Sequence, residues 1–357
     1  MAGKNTLPVV EASGKPFEMG RIVGRKCAGR AAAMKRNTAA AIKHSTGAEW
    51  GVAVKRARKY VPFADEFFPD YIEEVRGYAE GSRLTFEDAF TCCCHELLSP
   101  MAFRGCTDIA VSGDVTEQGN TIAAHNEDWS GDGLETVVLL HAKPKGKPEF
   151  ICTAYGGILP SCGMNSAGVS LTGNALDPND VRLGIPKIFP VRKVLEAKRI
   201  GEAIAWAMPP NRASSYNNIC CDKNGEVYSL EGSATDCAWL YADDGYLVHT
   251  NHYTSDRMRR FEANPDSNAC SIFRYNRARR LVQDQLGSVT VESLKCILRD
   301  HVNRPCSICR HPDPGRHPLD VSETIFSVIY DLSSLEAHVL RGKPCSGTYT
   351  KYSLQKD

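Results

Sequence analysis

The apolar positions of the first hundred or so residues recur at helical spacing, and most of those that follow do not. Arg21–Lys43 is rich in alanine, with arginine and lysine scattered through it, which predicts a helix whose basic residues form a solvated face. Val54–Tyr60 and Phe67–Glu80 continue the helical pattern. Thr85, with Asp88 three residues later, predicts a helix start of capping-box type. That helix is expected to run through Cys92–Cys94 to about Leu98, where Ser99-Pro100 stops it. From Cys106 the apolar runs shorten. Cys106–Val111, Thr121–Asn126, Thr136–Ala142 and Phe150–Tyr155 predict strands, with a turn at Gly113-Asp114. Met164–Leu171 and Ile219–Leu230 predict hairpins, closed by Asn165-Ser166-Ala167-Gly168 and Asp222-Lys223-Asn224-Gly225. Helices are expected at Val191–Ala207, Ile272–Gln285 and Val291–Asp300. Ala238–Thr250 is strand-like, Glu323–Tyr330 and Glu336–Arg341 read as an antiparallel pair, and His311–Pro318 reads as loop.

Strands thus come in runs and helices in runs, an α+β pattern and not the strict alternation of a Rossmann fold. No repeat, low-complexity tract or clear linker appears, which favours one domain over residues 1–357. The change of texture near residue 105 has no linker around it and needs another explanation.

Lys and Arg total 43 against 42 Asp and Glu, a net charge of +1 that gives no electrostatic reason to expect a nucleic-acid partner. Apolar residues at 42% and charged residues at 24% are globular values. The longest apolar stretches, such as Val137–Leu140, fall far short of the roughly 20 residues that cross a bilayer, so no membrane partner is expected. MAGKNTLPVV has no apolar signal core, and SLQKD matches neither the peroxisomal nor the ER-retention tail, which favours a cytoplasmic location. Cysteine numbers 15, an odd count that, with no signal core, argues against a disulfide framework. Most of these thiols should be small buried apolar groups, and the question is which one differs.

Gly105-Cys106-Thr107 sits at the change of texture. Glycine suits a tight, strained turn, and a thiol directly after it can attack the glycine carbonyl. Such an N-to-S acyl shift makes a thioester, and hydrolysis leaves a chain that begins with the cysteine. An N-terminal cysteine carries nucleophile and base on one residue, because its α-amine, with a pKa of about 7.7–8.0, can take the thiol proton near neutrality.

The surrounding motifs extend this. Gly14-Lys15-Pro16-Phe17-Glu18-Met19-Gly20, Tyr71-Ile72-Glu73-Glu74-Val75-Arg76-Gly77, Gly105-Cys106-Thr107, Asn126-Glu127-Asp128-Trp129, Gly163–Val169, Asn174-Ala175-Leu176, Val248-His249-Thr250-Asn251-His252 and Ser307-Ile308-Cys309-Arg310 follow one another along most of the chain. Together they resemble the acyl-CoA:6-aminopenicillanate acyltransferase (isopenicillin N acyltransferase) family of N-terminal nucleophile hydrolases. The resemblance implies a four-layer αββα sandwich and self-cleavage between Gly105 and Cys106. The products would be a 1–105 α subunit and a 106–357 β subunit that stay together as a heterodimer. It implies an acyl thioester on Cys106, formed from a small-molecule acyl-CoA or amide donor and passed to a small amine or to water, plausibly in natural-product metabolism. Penicillin itself is not supported. The family's fungal members often carry a peroxisomal tail that this chain lacks, which favours a cytosolic paralogue.

Each site residue also has a plainer reading. Asp128, matched to the aspartate of the family's N-W-D segment, would hold the α-ammonium; it also reads as an ordinary turn aspartate. Here Glu127 stands between Asn126 and Asp128, which leaves open which acid points inward. Strand alternation puts Asn126 and Asp128 on one face and Glu127 on the other. Asn251 would donate a side-chain N–H to the oxyanion, a contact worth about 3 kcal/mol of barrier. Asn174 is a second candidate at the same substrate-binding site. Either also suits a turn or a strand end. Arg310 would stabilise the thiolate or clamp a substrate carboxylate, and otherwise reads as a surface arginine beside His311. His249 and His252 invite a Cys–His reading, but an N-terminal nucleophile needs neither as base, so both read as structural.

Three rivals remain. Cys306-x2-Cys309-x-His311 has zinc-ligand spacing, with further thiols at Cys92–Cys94 and His95. No second paired knuckle stands near it, so no metal is expected. A non-catalytic binding protein of the same fold would need a lost nucleophile or a blocked scissile bond. A papain-type protease lacks its local signature. No cofactor is expected, since neither a G-x-G-x-x-G opening a helix nor a phosphate loop occurs.

Overall fold

The computed structural model describes residues 6–99 and 105–355. Pro100, expected to stop the N-terminal helices, lies outside them. The first part of the chain is one short strand, β1 (Val9–Gly14), then α1 (Pro16–Lys26), α2 (Ala28–Thr46), α3 (Trp50–Ala57), α4 (Val61–Phe67), α5 (Pro69–Ser82), α6 (Phe86–Cys93) and α7 (His95–Leu98). The helix expected from Arg21 begins earlier, because Pro16 suits a first turn and Glu18 accepts the Lys15 N–H at 3.1 Å. It also breaks at Cys27, where φ is −105° and ψ 11°. Thr85 accepts the Asp88 N–H at 3.0 Å as expected of a cap. The Asp88 carboxylate does not close the box; it takes Lys35 at 2.7 Å and the Trp50 indole N–H at 2.7 Å.

The break at Cys27 lets α1 lie against α5. A Cβ added at Gly20 or Gly24 would sit 1.9 Å from the Glu74 carbonyl or 2.3 Å from that of Tyr78. At Gly77 or Gly81 it would sit 2.0 Å from the Phe17 carbonyl or 2.2 Å from that of Arg21. Backbone meets backbone at these positions, so only glycine fits at Gly20 and Gly77, which end two of the quoted motifs.

The rest of the chain supplies β2 (Gly105–Val111), β3 (Ile122–Trp129), β4 (Val137–Pro144), β5 (Phe150–Tyr155), β6 (Leu159–Asn165), β7 (Val169–Ala175), α8 (Ile188–Val194) and α9 (Ile200–Ala207). Then come β8 (Tyr216–Asp222), β9 (Val227–Gly232), β10 (Cys237–Tyr241), β11 (Tyr246–His249), α10 (Ala269–Gln283), α11 (Val291–Leu298), β12 (Glu323–Asp331), β13 (Glu336–Arg341) and β14 (Thr350–Ser353). The two expected hairpins and the closing pair form as read. Two segments read as single elements are divided. Val191–Ala207 is two helices, and Ala238–Thr250 is two strands separated by a turn at Gly245, whose φ is +78°.

That second division matters, because β10 and β11 belong to different sheets. One sheet has eight strands in the order β1-β4-β5-β6-β7-β8-β9-β10, antiparallel except for the parallel β1–β4 edge. The other has six, β11-β2-β3-β12-β13-β14, all antiparallel. The two sheets face each other through β2, β3 and β7. Helices α10 and α11 cover the outer face of the six-stranded sheet through Ala278, Val282, Leu294 and Ile297. Helices α8 and α9 cover β6–β8 of the other sheet through Val191, Val194 and Ala203. The layers are therefore αββα, as expected. Among the described residues no helix is long and apolar enough to cross a membrane.

Candidate active site

The start of β2 lies against the end of β3. Gly105 pairs with Asp128, Cys106 with Glu127, Thr107 with Asn126 and Asp108 with His125. Alternation then sorts these residues between two faces. Cys106, Asp108, His125 and Glu127 face the space between the sheets. Gly105, Thr107, Asn126 and Asp128 face the helices α10 and α11.

On the inner face the charges form a chain. His125 lies 2.7 Å from Asp108 through Nδ1 and 2.7 Å from Glu127 through Nε2. Glu127 Oε2 is 3.7 Å from the Cys106 sulfur and accepts from the Ser161 hydroxyl at 3.2 Å, while Oε1 accepts from the Tyr155 hydroxyl at 2.7 Å. Burial alone would strip His125 of its proton, yet Asp108, Cys162 and Glu127 outweigh it and hold the ring's pKa well above the usual value. Burial, and then Glu127, Asp128 and Asp108, push the Cys106 thiol far up. Cys106 is therefore a protonated thiol with Glu127 beside it.

On the helix face the groups are arginines and a second acid. Arg274, 1% exposed, donates through Nη1 to the Cys106 carbonyl and to Thr107 Oγ1, and through Nη2 to Asn251 Oδ1 at 2.8 Å. Asn251 Oδ1 also accepts the Cys106 backbone N–H at 2.9 Å, and its Nδ2 donates to the Ala175 carbonyl at 3.1 Å. Asp128 accepts from the Thr324 hydroxyl at 2.6 Å through Oδ1. Its Oδ2 is buried with no hydrogen-bond partner. Burial raises the Asp128 carboxyl to about 6, against the lowering pull of Arg274 and Arg310.

A Cβ on Gly105 would fall 2.7 Å from Arg310 Nη1, 3.1 Å from Asp128 Oδ2 and 3.3 Å from Arg274 Nη2. Gly105 is thus crowded by the ends of three charged side chains. Gly105 is the first residue of strand β2, where the sequence suggested a tight turn.

Gly105, Cys106, Asp128, Asn251 and Arg310 therefore converge on one peptide bond. Asn174 stands one residue from the Ala175 carbonyl that Asn251 uses. Its Oδ1 faces His249 Nδ1 at 3.0 Å, and its Nδ2 is buried without a partner. His249 also meets Glu231 at 2.9 Å, and His252 meets Ser271 at 2.8 Å. Sequence reasoning missed Arg274, the Asp108–His125–Glu127 chain and Cys270. The Cys270 thiol is lowered by a hydrogen bond from Cys306 and by Arg274 and Arg310. Cys106 opens onto a cleft of about 560 Å³, part of it open to solvent, walled by Trp129, Tyr155, Leu159, Pro160, Ile188 and Val191. The apolar walls suit a hydrocarbon group next to the sulfur.

A cysteine opening a central strand of an αββα sandwich, ringed by these amide and charged groups, defines an acyltransferase or amide hydrolase of the N-terminal nucleophile class. Comparison with known proteins narrows this. The family model of acyl-coenzyme A:6-aminopenicillanic acid acyl-transferase matches residues 115–345, and the chain belongs to that family. The 40 kDa form of acyl-coenzyme A:6-aminopenicillanic-acid-acyltransferase from Emericella nidulans is 27% identical over 350 residues, which cover 94% of this chain and 92% of that one. Solved structures are more distant. Penicillin V acylase from Agrobacterium tumefaciens has a TM-score of 0.49 at 14% identity, covering 70% of this chain and 86% of its own. A variant of conjugated bile acid hydrolase from Clostridium perfringens has a TM-score of 0.47 at 13% identity, covering 70% and 98%.

Proposed function

We propose that the chain is a precursor that cuts itself between Gly105 and Cys106 and then works as a thiol acyltransferase or amide hydrolase. Glu127 takes the Cys106 thiol proton. The sulfur attacks the Gly105 carbonyl carbon, the C–N bond breaks, and the departing nitrogen picks up a proton to become the α-amine. Water then hydrolyses the thioester, leaving a carboxylate on Gly105 and a free thiol on Cys106. Asn251 Oδ1 and Arg274 orient the scissile nitrogen and its residue during this step.

In the cut enzyme the α-amine of Cys106 becomes the base for its own thiol. The unpartnered Oδ2 of Asp128 receives the new ammonium. The second hydrogen on Asn251 Nδ2 is available to the oxyanion, with Asn174 as a further donor. Arg310, beside Gly105, stabilises charge on a substrate carboxylate. The acyl group lies in the apolar cleft as a Cys106 thioester and passes to a small amine or to water. Its donor is an acyl-CoA or an amide, a choice supported by the family and the Emericella relative, and a role in natural-product metabolism fits both. The pieces 1–105 and 106–357 remain one heterodimer, and a cytoplasmic enzyme suits its cysteine-rich composition.

The observation that carries this reading is the Glu127 carboxylate 3.7 Å from a thiol that directly follows a crowded glycine. Intact mass spectrometry of recombinant protein should give 1–105 and 106–357 as separate masses, with acyl adducts on the second when donors are offered. Cys106→Ala should give one uncut chain, and cutting in that variant would refute the mechanism.

A further inference from the structure

The loop between α11 and β12 and the turn after β13 bring four metal-binding side chains to one point. The ring nitrogens of His301 and His311 and the sulfurs of Cys309 and Cys345 all lie within 4.8 Å of one another. His301 Nε2 is 3.1 Å from His311 Nε2, which is 3.9 Å from Cys309 Sγ and 3.6 Å from Cys345 Sγ. A tetrahedral zinc ion with its usual bond lengths sets nitrogens about 3.4 Å apart and nitrogen and sulfur about 3.6 Å apart. We infer that these four residues form a Cys2His2 site for a structural zinc ion.

The donor set selects the metal. Two thiolates and two imidazoles in a closed tetrahedron suit zinc and exclude the hard, oxygen-seeking cations. The sequence offered only Cys306-x2-Cys309-x-His311, which lacks a second half. The fold discards Cys306, which bonds Cys270 instead, and completes the set with His301 and the distant Cys345. The two segments are held together independently of the cluster. Arg299 Nε donates to the Pro344 carbonyl at 3.0 Å, and the Cys309 N–H donates to the Asp300 carbonyl at 3.0 Å. His301 and Cys345 are exposed, so an ion enters directly from solvent. Exposed Arg304 lies 3.5 Å from His311 Nδ1 and must swing away when that nitrogen carries the proton of a metal-bound ring.

The site has a consequence for the reacting centre. Arg310 lies between the ligands Cys309 and His311, and its guanidinium crowds Gly105. Its backbone is already tied to Thr324, N–H to hydroxyl at 2.9 Å and carbonyl to N–H at 3.1 Å. An ion on both flanking residues fixes the arginine from the other side.

The test is metal analysis of full-length protein purified under reducing conditions without chelator. About one zinc per chain is expected. Cys345→Ser and His301→Ala should lower it at least tenfold. Cys106→Ala should keep it, which separates this site from the buried Cys106–His125–Glu127 group. Cobalt(II) added to the stripped wild-type protein should give the absorption bands of a tetrahedral thiolate site, a readout that needs no variant and no activity. Wild-type protein that holds no zinc and gives no such bands, or zinc retained in Cys345→Ser, would overturn the assignment.

Discussion

The two faces of the β2–β3 ribbon carry opposite chemistry around the same cysteine. The inner face presents acids alone to the sulfur, with His125 held between two carboxylates. The outer face presents two arginines and an amide to the backbone of Gly105 and Cys106. A protonated thiol needs an acceptor, and the inner face provides one. The peptide bond proposed to be cut would need donors and fixed geometry, and the outer face provides those. Under the proposed mechanism adjacent positions on one strand would take separate tasks, because alternation sends them into different surroundings.

Removing the inner acceptor is the sharpest way to break this division. Glu127→Gln should slow appearance of the 106–357 piece by about 10²–10⁴, the usual contribution of a general base. The fraction that does cut should keep most of its turnover number, since the α-amine then serves as base. Equal loss in both steps would merge the two tasks. Arg274→Met attacks the other face and should slow cutting by about 10²–10³ with an unchanged circular dichroism spectrum. Asn251→Ala should lower the kcat of the cut enzyme by about 10², corresponding to about 3 kcal/mol. An unaltered kcat would shift the oxyanion role to Asn174.

The smallest effect is in pH dependence. Burial raises the Asp128 carboxyl from 3.8 to about 6, so the folded chain holds this proton more tightly than the unfolded one. Its stabilising contribution is full below about pH 4 and is lost as pH rises through about 6. Melting curves of the uncuttable Cys106→Ala chain should show that decline, and adding Asp128→Asn should remove it.

Much of this was legible beforehand for physical reasons. Short apolar runs with Asn-Ser-Ala-Gly and Asp-Lys-Asn-Gly turns specify hairpins locally, and both formed. Alternation assigned Glu127 and Asp128 to opposite faces correctly. It left open which one mattered, and each turns out to meet its own side of Cys106. Arg274 was not legible. It sits in a helix that also carries Arg277, Arg279 and Arg280, and only packing shows which arginine is buried. The six-residue β1 was missed, since VVEASG has too few alternations to stand out, and its parallel partner is far along the chain. The metal-binding set was half visible, because His301 and Cys345 are brought to Cys309 and His311 by the α11–β12 loop and the turn after β13, which no local spacing reveals.

If the chain cuts itself as proposed, the parallel edge strand β1 bears on the fate of the products. It belongs to the N-terminal piece but caps β4, whose Val137-Val138-Leu139-Leu140 run is fully buried. Without that cover, the larger piece would present an unpaired apolar rim, a template for sticking to its own kind. Under the proposed cut the smaller piece would stay as a lid on an aggregation-prone seam, and scission would free a terminus without freeing a fragment.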